Sequence, residues 1–206
     1  MTNTNLFPDA NMLSIFPYDL TEGGGFTLHY MTLYSIIYGM EAKSVFEFGC
    51  GYSSQVILSA LERTGGRLTT VEMRDIKDTG NNPELLESNK ERWQYIQKHS
   101  HDALRQDIDG KQFDVVLHDG SHGTRTVIKD IRGIVKHMKQ DAILLVHDTD
   151  HEALPNMKLA VRLGLFPYRY EMMTLPYGYG LTIVRLKSNF GNGKVSLHWK
   201  AKKHQV

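Results

Sequence analysis

The chain has 206 residues, a formal net charge of +1, 41% hydrophobic and 23% charged residues, and a single cysteine, Cys50. This length suits one α/β domain, and the near-neutral charge gives no global field that favours nucleic acid or an acidic membrane. One cysteine excludes an intrachain disulfide and a multi-cysteine metal site, as is common in a reducing compartment. Because neither a signal-peptide pattern nor a run of about 20 apolar residues is present, we expect a cytoplasmic protein without a membrane span.

Strand-like and helix-like segments alternate along the chain. Residues 1–25 are rich in Asn, Pro and Gly and predict an irregular arm, and residues 27–40 predict a helix. The following strands are predicted at 44–48, 67–72, 93–98, 113–118 and 142–147, with helices at 53–63, 83–92, 123–138 and 153–163. Two last β-like runs, 168–174 and 181–186, flank the turn-rich segment PYGYG and predict a hairpin.

This alternation predicts a single α/β fold, with a mainly parallel sheet, helices on both faces and one antiparallel hairpin at the end. We expect three parts along the chain. Residues 1–40 form an arm and helix on the substrate side, residues 41–190 form the core, and residues 191–206 form a basic, solvated tail.

The pattern H-D-x-x-H occurs twice, each time directly after a short apolar run. The two copies begin at His118 and His147, 29 residues apart, and a helix-like stretch separates them. This spacing is typical of a strand-helix-strand unit, whose two strands are parallel and usually adjacent. Asp119 and Asp148 are therefore expected at one carboxyl edge of the sheet, where ligands bind in open α/β folds.

A glycine loop, EFGCGYS over residues 47–53, follows the first predicted strand. Gly49 and Gly51 let the backbone turn tightly and approach a ligand, and Ser53 or Ser54 can cap the next helix. Ser54 also stands where the dinucleotide fingerprint needs its third glycine, and no G-K-[ST] follows the loop. These departures disfavour both a nicotinamide dinucleotide and a P-loop nucleotide.

What remains is a nucleoside ligand without a diphosphate, and S-adenosylmethionine meets this description. Its ribose would meet Glu72 at the end of the second strand, its methionine part would cross the glycine loop, and Glu47 would lie near its cationic end. Taken alone, a G-x-G turn or a surface glutamate has an ordinary structural role. The glycine loop, Glu72 and the two H-D-x-x-H segments follow one another in this order, and the combination favours S-adenosylmethionine binding over these separate structural roles.

Together these segments resemble the class I S-adenosylmethionine-dependent methyltransferases. EFGCGYSS is similar to their first motif and TTVE to their second, while FDVVLHDGSH and AILLVHDTD are similar to their strand-four and strand-five segments. The resemblance spans residues 44–186 and implies a Rossmann-like sheet of seven strands. The D-G-x-H and H-D-T segments are more specifically similar to metal-dependent O-methyltransferases of sugars, macrolide-type substrates and other hydroxylated small molecules, with catechol-type enzymes as more distant relatives.

The resemblance implies a magnesium ion held by Asp119 and Asp148, with Asp119 also bordering the cofactor. Mg²⁺ prefers oxygen ligands and keeps several waters, so two carboxylates can suffice, and the cation would favour a substrate alkoxide. Related enzymes often carry a third ligand directly after the second aspartate, where this chain has Thr149. That ligand would come from Asp150 or Glu22. Zinc bound by the histidines is a weaker alternative.

His122 matches a histidine proposed as the general base in related sugar methyltransferases, and a neutral imidazole suits proton removal near neutral pH. His151 is a second candidate. His118 and His147 precede their aspartates and are expected to point to the opposite side of the strands. Asp102, after the third strand, matches the family position that reaches the adenine amino group.

The expected function is S-adenosylmethionine-dependent methyl transfer to a hydroxyl of a small molecule, with divalent-metal assistance. A non-catalytic cofactor-binding or assembly protein of the same fold is one alternative, and a nicotinamide-dependent oxidoreductase is another. A nucleic-acid methyltransferase is disfavoured, because the near-neutral chain has no proline-aromatic motif after strand four. Whether the chain forms a homo-oligomer is left open.

Overall fold

A computed structural model of the protein describes residues 25–81 and 83–187, where strands and helices alternate. The strands are β1 (Ser44–Phe48), β2 (Arg67–Glu72), β3 (Trp93–Gln97), β4 (Phe113–His118), β5 (Met138–Val146), β6 (Tyr170–Leu175) and β7 (Leu181–Leu186). The helices are α1 (Tyr30–Gly39), α2 (Tyr52–Thr64), α3 (Pro83–Ser88), α4 (Ser100–Gln106), α5 (Thr124–Val135) and α6 (Met157–Leu165). Single 3-10 turns cover Gly25–His29 and Ile76–Asp78.

The strands form one seven-stranded sheet in the order β3-β2-β1-β4-β5-β7-β6. The first five strands of this order are parallel to one another, whereas β7 runs antiparallel to both β5 and β6. The predicted fold class and the closing hairpin are confirmed. Because the chain winds outward in both directions from β1 and β4, a crevice opens at the carboxyl ends of these two strands.

Alternating side chains of the central strands feed two apolar layers. Val115 and Leu117 of β4 pack with α1 and α2 on one face. Val116, between them, packs with α4, α5 and α6 on the other face. The sheet is therefore covered on both sides, which is why its central strands are almost continuously apolar.

Helix α1 belongs to this packed core. Leu33 and Ile37 are fully buried in the same layer as Val45 and Leu145. The helical part of the predicted substrate-side segment 1–40 is thus an integral part of the fold. The rest of the predicted arm, Glu22 and the basic tail lie outside the described residues.

Several elements differ from the sequence predictions, and helix α3 ends at Ser88, four residues before its predicted end at 92. Helix α4 was missed because its seven residues bury only Ala103 and Leu104 and so carry no clear period. Strand β5 begins at Met138, the last residue of the predicted helix, and its early residues are polar. Its register against β4 then shifts, and Asp141 has a left-handed backbone (φ 62°). Helix α6 begins at Met157, a turn later than predicted. Among residues 25–81 and 83–187, no helix has the length and apolarity that crossing a membrane requires.

Candidate active site

The two H-D-x-x-H segments leave the sheet one residue out of step. In the β4–β5 pairing, His118 lies beside Val146, and the His147 N–H donates to the His118 carbonyl at 3.0 Å. Paired residues of neighbouring strands share a face, and a shift of one residue reverses the face. His147 therefore lies beside Asp119, and the two histidines point to opposite faces of the sheet.

His147 is a member of the carboxylate cluster, which corrects the prediction that it points away. Its Nδ1 is 3.0 Å from Asp119 Oδ1 and 3.4 Å from Asp148 Oδ1, and its Nε2 is 2.8 Å from the Gly178 carbonyl oxygen. Since carboxylates and carbonyls only accept hydrogen bonds, both ring nitrogens donate. Burial opposes a charge here, but the hydrogen bonds and attraction of the two aspartates outweigh it and raise the pKa of His147 to about 10. The ring is an imidazolium at neutral pH.

His118 points away from Asp119, as predicted, and lies on the α5 side of the sheet. It is buried, and its Nε2 lies 3.2 Å from Asp130 Oδ2. The side chain thus takes no part in the Asp119–Asp148 cluster.

Asp119, His122 and Asp148 each bring one ligand atom within 4.8 Å of the others. His122 Nε2 lies 2.6 Å from Asp148 Oδ2, and the His122 side chain is 49% exposed. Burial opposes ionisation of Asp148, but the contacts with His147 and His122 prevail and lower its pKa. Asp148 also has a left-handed backbone (φ 56°), a conformation that is strained for a non-glycine residue and is common at functional sites. The mutual distances of Asp119, His122 and Asp148 thus bring two carboxylates and an imidazole to one place.

The remaining polar residues of the second segment turn elsewhere. The Asp150 carboxylate forms an ion pair with Lys158 and is not part of the three-residue cluster. The His151 ring lies against Tyr179, with 4.3 Å between the ring centroids, and its Nδ1 accepts the Ala153 N–H at 3.0 Å. The structure therefore brings His122, and not Asp150, to the two aspartates.

A glycine is required where the β1 and β4 loops touch. Gly49 has a left-handed backbone (φ 88°), and a Cβ built on it would lie 2.4 Å from the Asp119 carbonyl oxygen. Gly51 is extended (φ −168°), and a Cβ there would meet only the Thr79 carbonyl oxygen at 3.9 Å. Gly49 thus holds Asp119 against the glycine loop, while the packing does not enforce a glycine at position 51.

Two clefts open at this edge of the sheet. The first cleft has a volume of about 530 Å³, and its walls include Gly49, Glu72, Ser100, Asp119, Thr126 and Asp130. The second cleft has a volume of about 540 Å³, and its walls include Phe26, Asp119, His122, Asp148, His151 and Tyr179. Asp119 lines both clefts, so the two spaces share this residue as a wall.

Glu72 is an anchored anion on the wall of the first cleft. Its Oε1 accepts the N–H groups of Met73 (2.8 Å) and Arg74 (3.0 Å), and its Oε2 lies 2.8 Å from Arg74 Nη2. Burial opposes ionisation, but the Arg74 side chain and these N–H groups prevail and lower the pKa of Glu72. A carboxylate has about four acceptor positions, so this one retains capacity for a ligand's hydroxyls.

Glu47 and Ser53 brace the glycine loop from behind and do not line the first cleft. The fully buried Glu47 carboxylate accepts hydrogen bonds from Ser53 Oγ (2.6 Å), Ser54 Oγ (2.7 Å) and Thr70 Oγ1 (2.9 Å). Burial raises the pKa of Glu47 to about 7 against the effect of these hydrogen bonds. Glu47 follows the alternation of β1, because Phe46 and Phe48 face the α5 side and Glu47 faces α2.

Asp102 is exposed on α4 and is absent from the walls of the first cleft. The residues that line the cleft at this end of β3 are Lys98, His99 and Ser100. Together with His147 and Asp130, these residues were missed by sequence reasoning. Strand register and the short helix α4 bring these residues to the site, and the sequence pattern shows neither feature.

Comparison with known proteins agrees with this geometry. Residues 46–149 match the family described as "Methyltransferase domain". No curated protein gave a significant sequence match. An O-methyltransferase from Bacillus cereus in complex with SAH has 14% identity and a TM-score of 0.63, covering 89% of this chain and 94% of its own.

Two further solved structures have the same fold. TomG, an O-methyltransferase from Streptomyces achromogenes involved in tomaymycin synthesis and solved with SAM, has 18% identity and a TM-score of 0.60, covering 88% of this chain and 91% of its own. The SAH-bound methyltransferase PaMTH1 from Podospora anserina has 17% identity and a TM-score of 0.59, covering 90% and 91%. The chain belongs to the methyltransferase-domain family, with the fold of the class I S-adenosylmethionine-dependent enzymes.

Proposed function

We propose that the protein transfers a methyl group from S-adenosylmethionine to a hydroxyl of a small molecule, with a divalent cation at Asp119 and Asp148. The observation that carries this proposal is the shared position of Asp119, which lines both clefts. A methyl donor in the first cleft and an acceptor in the second would meet at this residue. Direct transfer needs two bound reactants held side by side in this way.

The residues of the first cleft fit the cofactor. Gly49 keeps the loop backbone close to Asp119, and Glu72 supplies a fixed anion for the ribose hydroxyls. Glu47 and Ser53 would act indirectly, by supporting the loop through their buried hydrogen bond. Contacts of Gly51 and Asp102 with the cofactor stay predictions.

The residues of the cluster fit a divalent cation, since Asp119 and Asp148 offer hard oxygen ligands on one side of the second cleft. When bound, the cation would stabilise the negative charge of an acceptor oxygen. His147 works against cation binding, because its positive charge lies within 3.4 Å of both carboxylates. We therefore expect modest cation affinity.

His122 is suited to accept the hydroxyl proton. Its Nε2 faces the Asp148 carboxylate, so the neutral ring carries its hydrogen on Nε2 and exposes a lone pair on Nδ1. Asp148 would then orient the ring and stabilise the imidazolium that forms. A neutral imidazole has one free lone pair, so the base role and the third-ligand role exclude each other. We assign His122 as the base.

The test is turnover of S-adenosylmethionine to S-adenosylhomocysteine with a panel of hydroxylated small molecules, in Mn²⁺ or Mg²⁺ and after chelation. We expect cation-dependent turnover, and loss of about 100-fold or more in kcat for His122→Asn, as for removal of a general base. Asp148→Asn should lose the turnover that the cation supports. An exposed histidine on α4, His101→Asn, is the matched control and should keep full activity.

Two results separate the alternatives. Binding of S-adenosylhomocysteine with no turnover of any acceptor would favour a non-catalytic cofactor-binding protein. Full activity of the chelated enzyme and of Asp148→Asn would contradict the cation mechanism, while full activity of His122→Asn would contradict the base assignment.

A further inference from the structure

A histidine with a fixed hydrogen-bond direction stands on the wall of the second cleft. His151 lines this cleft, and its Nδ1 lies 3.0 Å from the Ala153 backbone nitrogen. Because an amide N–H can only donate, Nδ1 accepts, and the ring hydrogen must lie on Nε2. The ring therefore has no free lone pair with which to act as a base, and its Nε2–H is a donor.

Tyr179 restrains this ring from one side. The two ring centroids are 4.3 Å apart, and Tyr179 lines the same cleft. Tyr179 has a left-handed backbone (φ 64°), which is unusual for a bulky residue, and its carbonyl accepts the Asp150 N–H at 2.8 Å. A strained conformation that the surrounding backbone holds in place is common at ligand-binding sites.

The Nε2 donor is available to a molecule in the second cleft. Within residues 25–81 and 83–187, no protein group accepts its hydrogen. Asp119, His122 and Asp148 line the same cleft, whose volume of about 540 Å³ suits one small molecule. A molecule with its reacting hydroxyl at the carboxylates can therefore reach His151 with another atom.

The electrostatics of the cleft favour an uncharged partner for this donor. Nδ1 of His151 cannot gain a proton without losing the Ala153 N–H. None of the described residues that line the cleft is a lysine or an arginine, and the His147 ring is paired with Asp119 and Asp148. A phosphate or carboxylate would find no free countercharge on these walls, whereas an ether, carbonyl or hydroxyl oxygen needs only the donor.

We propose that His151 determines acceptor specificity by donating a hydrogen bond to a second, uncharged oxygen near the hydroxyl that is methylated, with Tyr179 as a positioning residue. This inference rests on the proposed function and narrows its substrate class to molecules with two neighbouring oxygens. A methylene in place of the second oxygen would leave the donor unpaired. A site built for a hydrogen bond rejects an analogue that cannot form it.

The test uses two pairs of alcohols that have nearly the same shape and differ in one oxygen. The planar pair is 2-methoxyphenol and 2-ethylphenol, and the puckered pair is trans-2-methoxycyclohexanol and trans-2-ethylcyclohexanol. In the pair with the higher turnover, we expect the wild-type enzyme to prefer the methoxy compound about tenfold in kcat/KM, the value of one hydrogen bond.

His151→Phe removes the donor and keeps a ring against Tyr179. The preference should fall to about one, mainly through slower turnover of the methoxy compound. His151→Gln retains a side-chain N–H and should restore part of the preference. His101→Phe, an exposed change on α4, is the matched control and should keep the wild-type preference.

A second variant tests the positioning role. Tyr179→Asn removes the ring but tolerates the left-handed backbone, so the preference should fall. The same change in a His151→Phe background should cause no further fall, because Tyr179 acts through His151. The preference ratio is the readout, since a general loss of packing would slow both members of a pair equally.

The hydrogen position can be measured without turnover, by NMR of the protein with nitrogen-15-labelled histidine. We expect the hydrogen of His151 on Nε2, with the His151 signals identified by their loss in His151→Gln. A hydrogen on Nδ1 would overturn the inference, because the donor would then face the loop backbone.

The kinetic outcomes are distinct. A preference that survives in His151→Phe would show that the bound cation, and not His151, selects the second oxygen. Turnover of other hydroxylated molecules but of neither methoxy compound would also overturn the inference, while leaving the proposed function intact. A wild-type protein that turns over no acceptor would overturn the proposed function itself.

Discussion

At the scale of single residues, His147 places a positive charge between Asp119 and Asp148. His147→Gln keeps a hydrogen-bond donor at this position and removes the charge. We predict that Mn²⁺ affinity rises at least about fivefold, because the cation no longer meets a like charge close by. Titration with Mn²⁺ at low ionic strength measures this, with His101→Gln as the exposed control. Unchanged or weaker binding would mean that the imidazolium does not oppose the cation.

Glu47 gives the second prediction at this scale, because its pKa is raised from 4.5 to about 7 in the folded protein. Below pH 4.5 the carboxyl group is protonated in both states and costs nothing. Between pH 4.5 and about 7 the unfolded chain releases this proton while the folded state retains it, so the folded state loses on the order of 3 kcal/mol relative to the unfolded chain, and the loss is complete above pH 7.

Glu47→Gln removes this titration while preserving the size of the side chain. The variant's free energy of unfolding, relative to wild type, should rise between pH 5 and pH 8, as measured by urea unfolding at about these two values. Glu62→Gln, an exposed change on α2, serves as the control. Parallel pH profiles for wild type and Glu47→Gln would refute the buried ionisation.

At the scale of secondary-structure elements, the loops after β1 and β4 are held together through Gly49. Gly49→Ala places a methyl group 2.4 Å from the Asp119 carbonyl oxygen on a left-handed backbone. We predict a loss of about 3 kcal/mol in the free energy of unfolding. Gly51→Ala, on an extended backbone with its nearest neighbour at 3.9 Å, should lose much less. Equal stability of the two variants in urea would show that the loops separate readily.

Much of this arrangement was predictable from the alternation of elements. Parallel strands bring their carboxyl ends to one edge, so Asp119 and Asp148 were expected together, and the structure places them together. The face of Glu47 was also readable, because Phe46 and Phe48 flank it with the opposite orientation. The resemblance of the glycine loop to the family's first motif placed Glu47 at the cofactor, whereas the alternation of β1 places it on the α2 side.

Strand register was not predictable, and it decides which histidine joins the aspartates. The early start of β5 at Met138 and its irregular pairing with β4 set the one-residue offset that brings His147 to Asp119. The hydrophobic pattern of β5 specifies which residues are buried, but both faces of this central strand are apolar. Alternation therefore cannot distinguish one register from the next.

At the scale of the whole molecule, a ligand that binds only the folded protein stabilises it in proportion to its affinity. We predict that S-adenosylhomocysteine at about 100 times its Kd adds about 2.7 kcal/mol to the free energy of unfolding and raises the Tm. NAD should cause no shift, because Ser54 replaces the third glycine of the dinucleotide fingerprint. A shift with NAD and none with S-adenosylhomocysteine would favour the oxidoreductase alternative.

The junction of the two clefts at Asp119 is tested most directly by nuclear relaxation of S-adenosylmethionine carrying a carbon-13 methyl group, with bound Mn²⁺ as the paramagnetic probe. The proposed arrangement predicts strong broadening of the methyl resonance in the wild-type protein, which Asp148→Asn abolishes while the donor stays bound. A sharp methyl resonance in the presence of saturating Mn²⁺ and bound donor would contradict it.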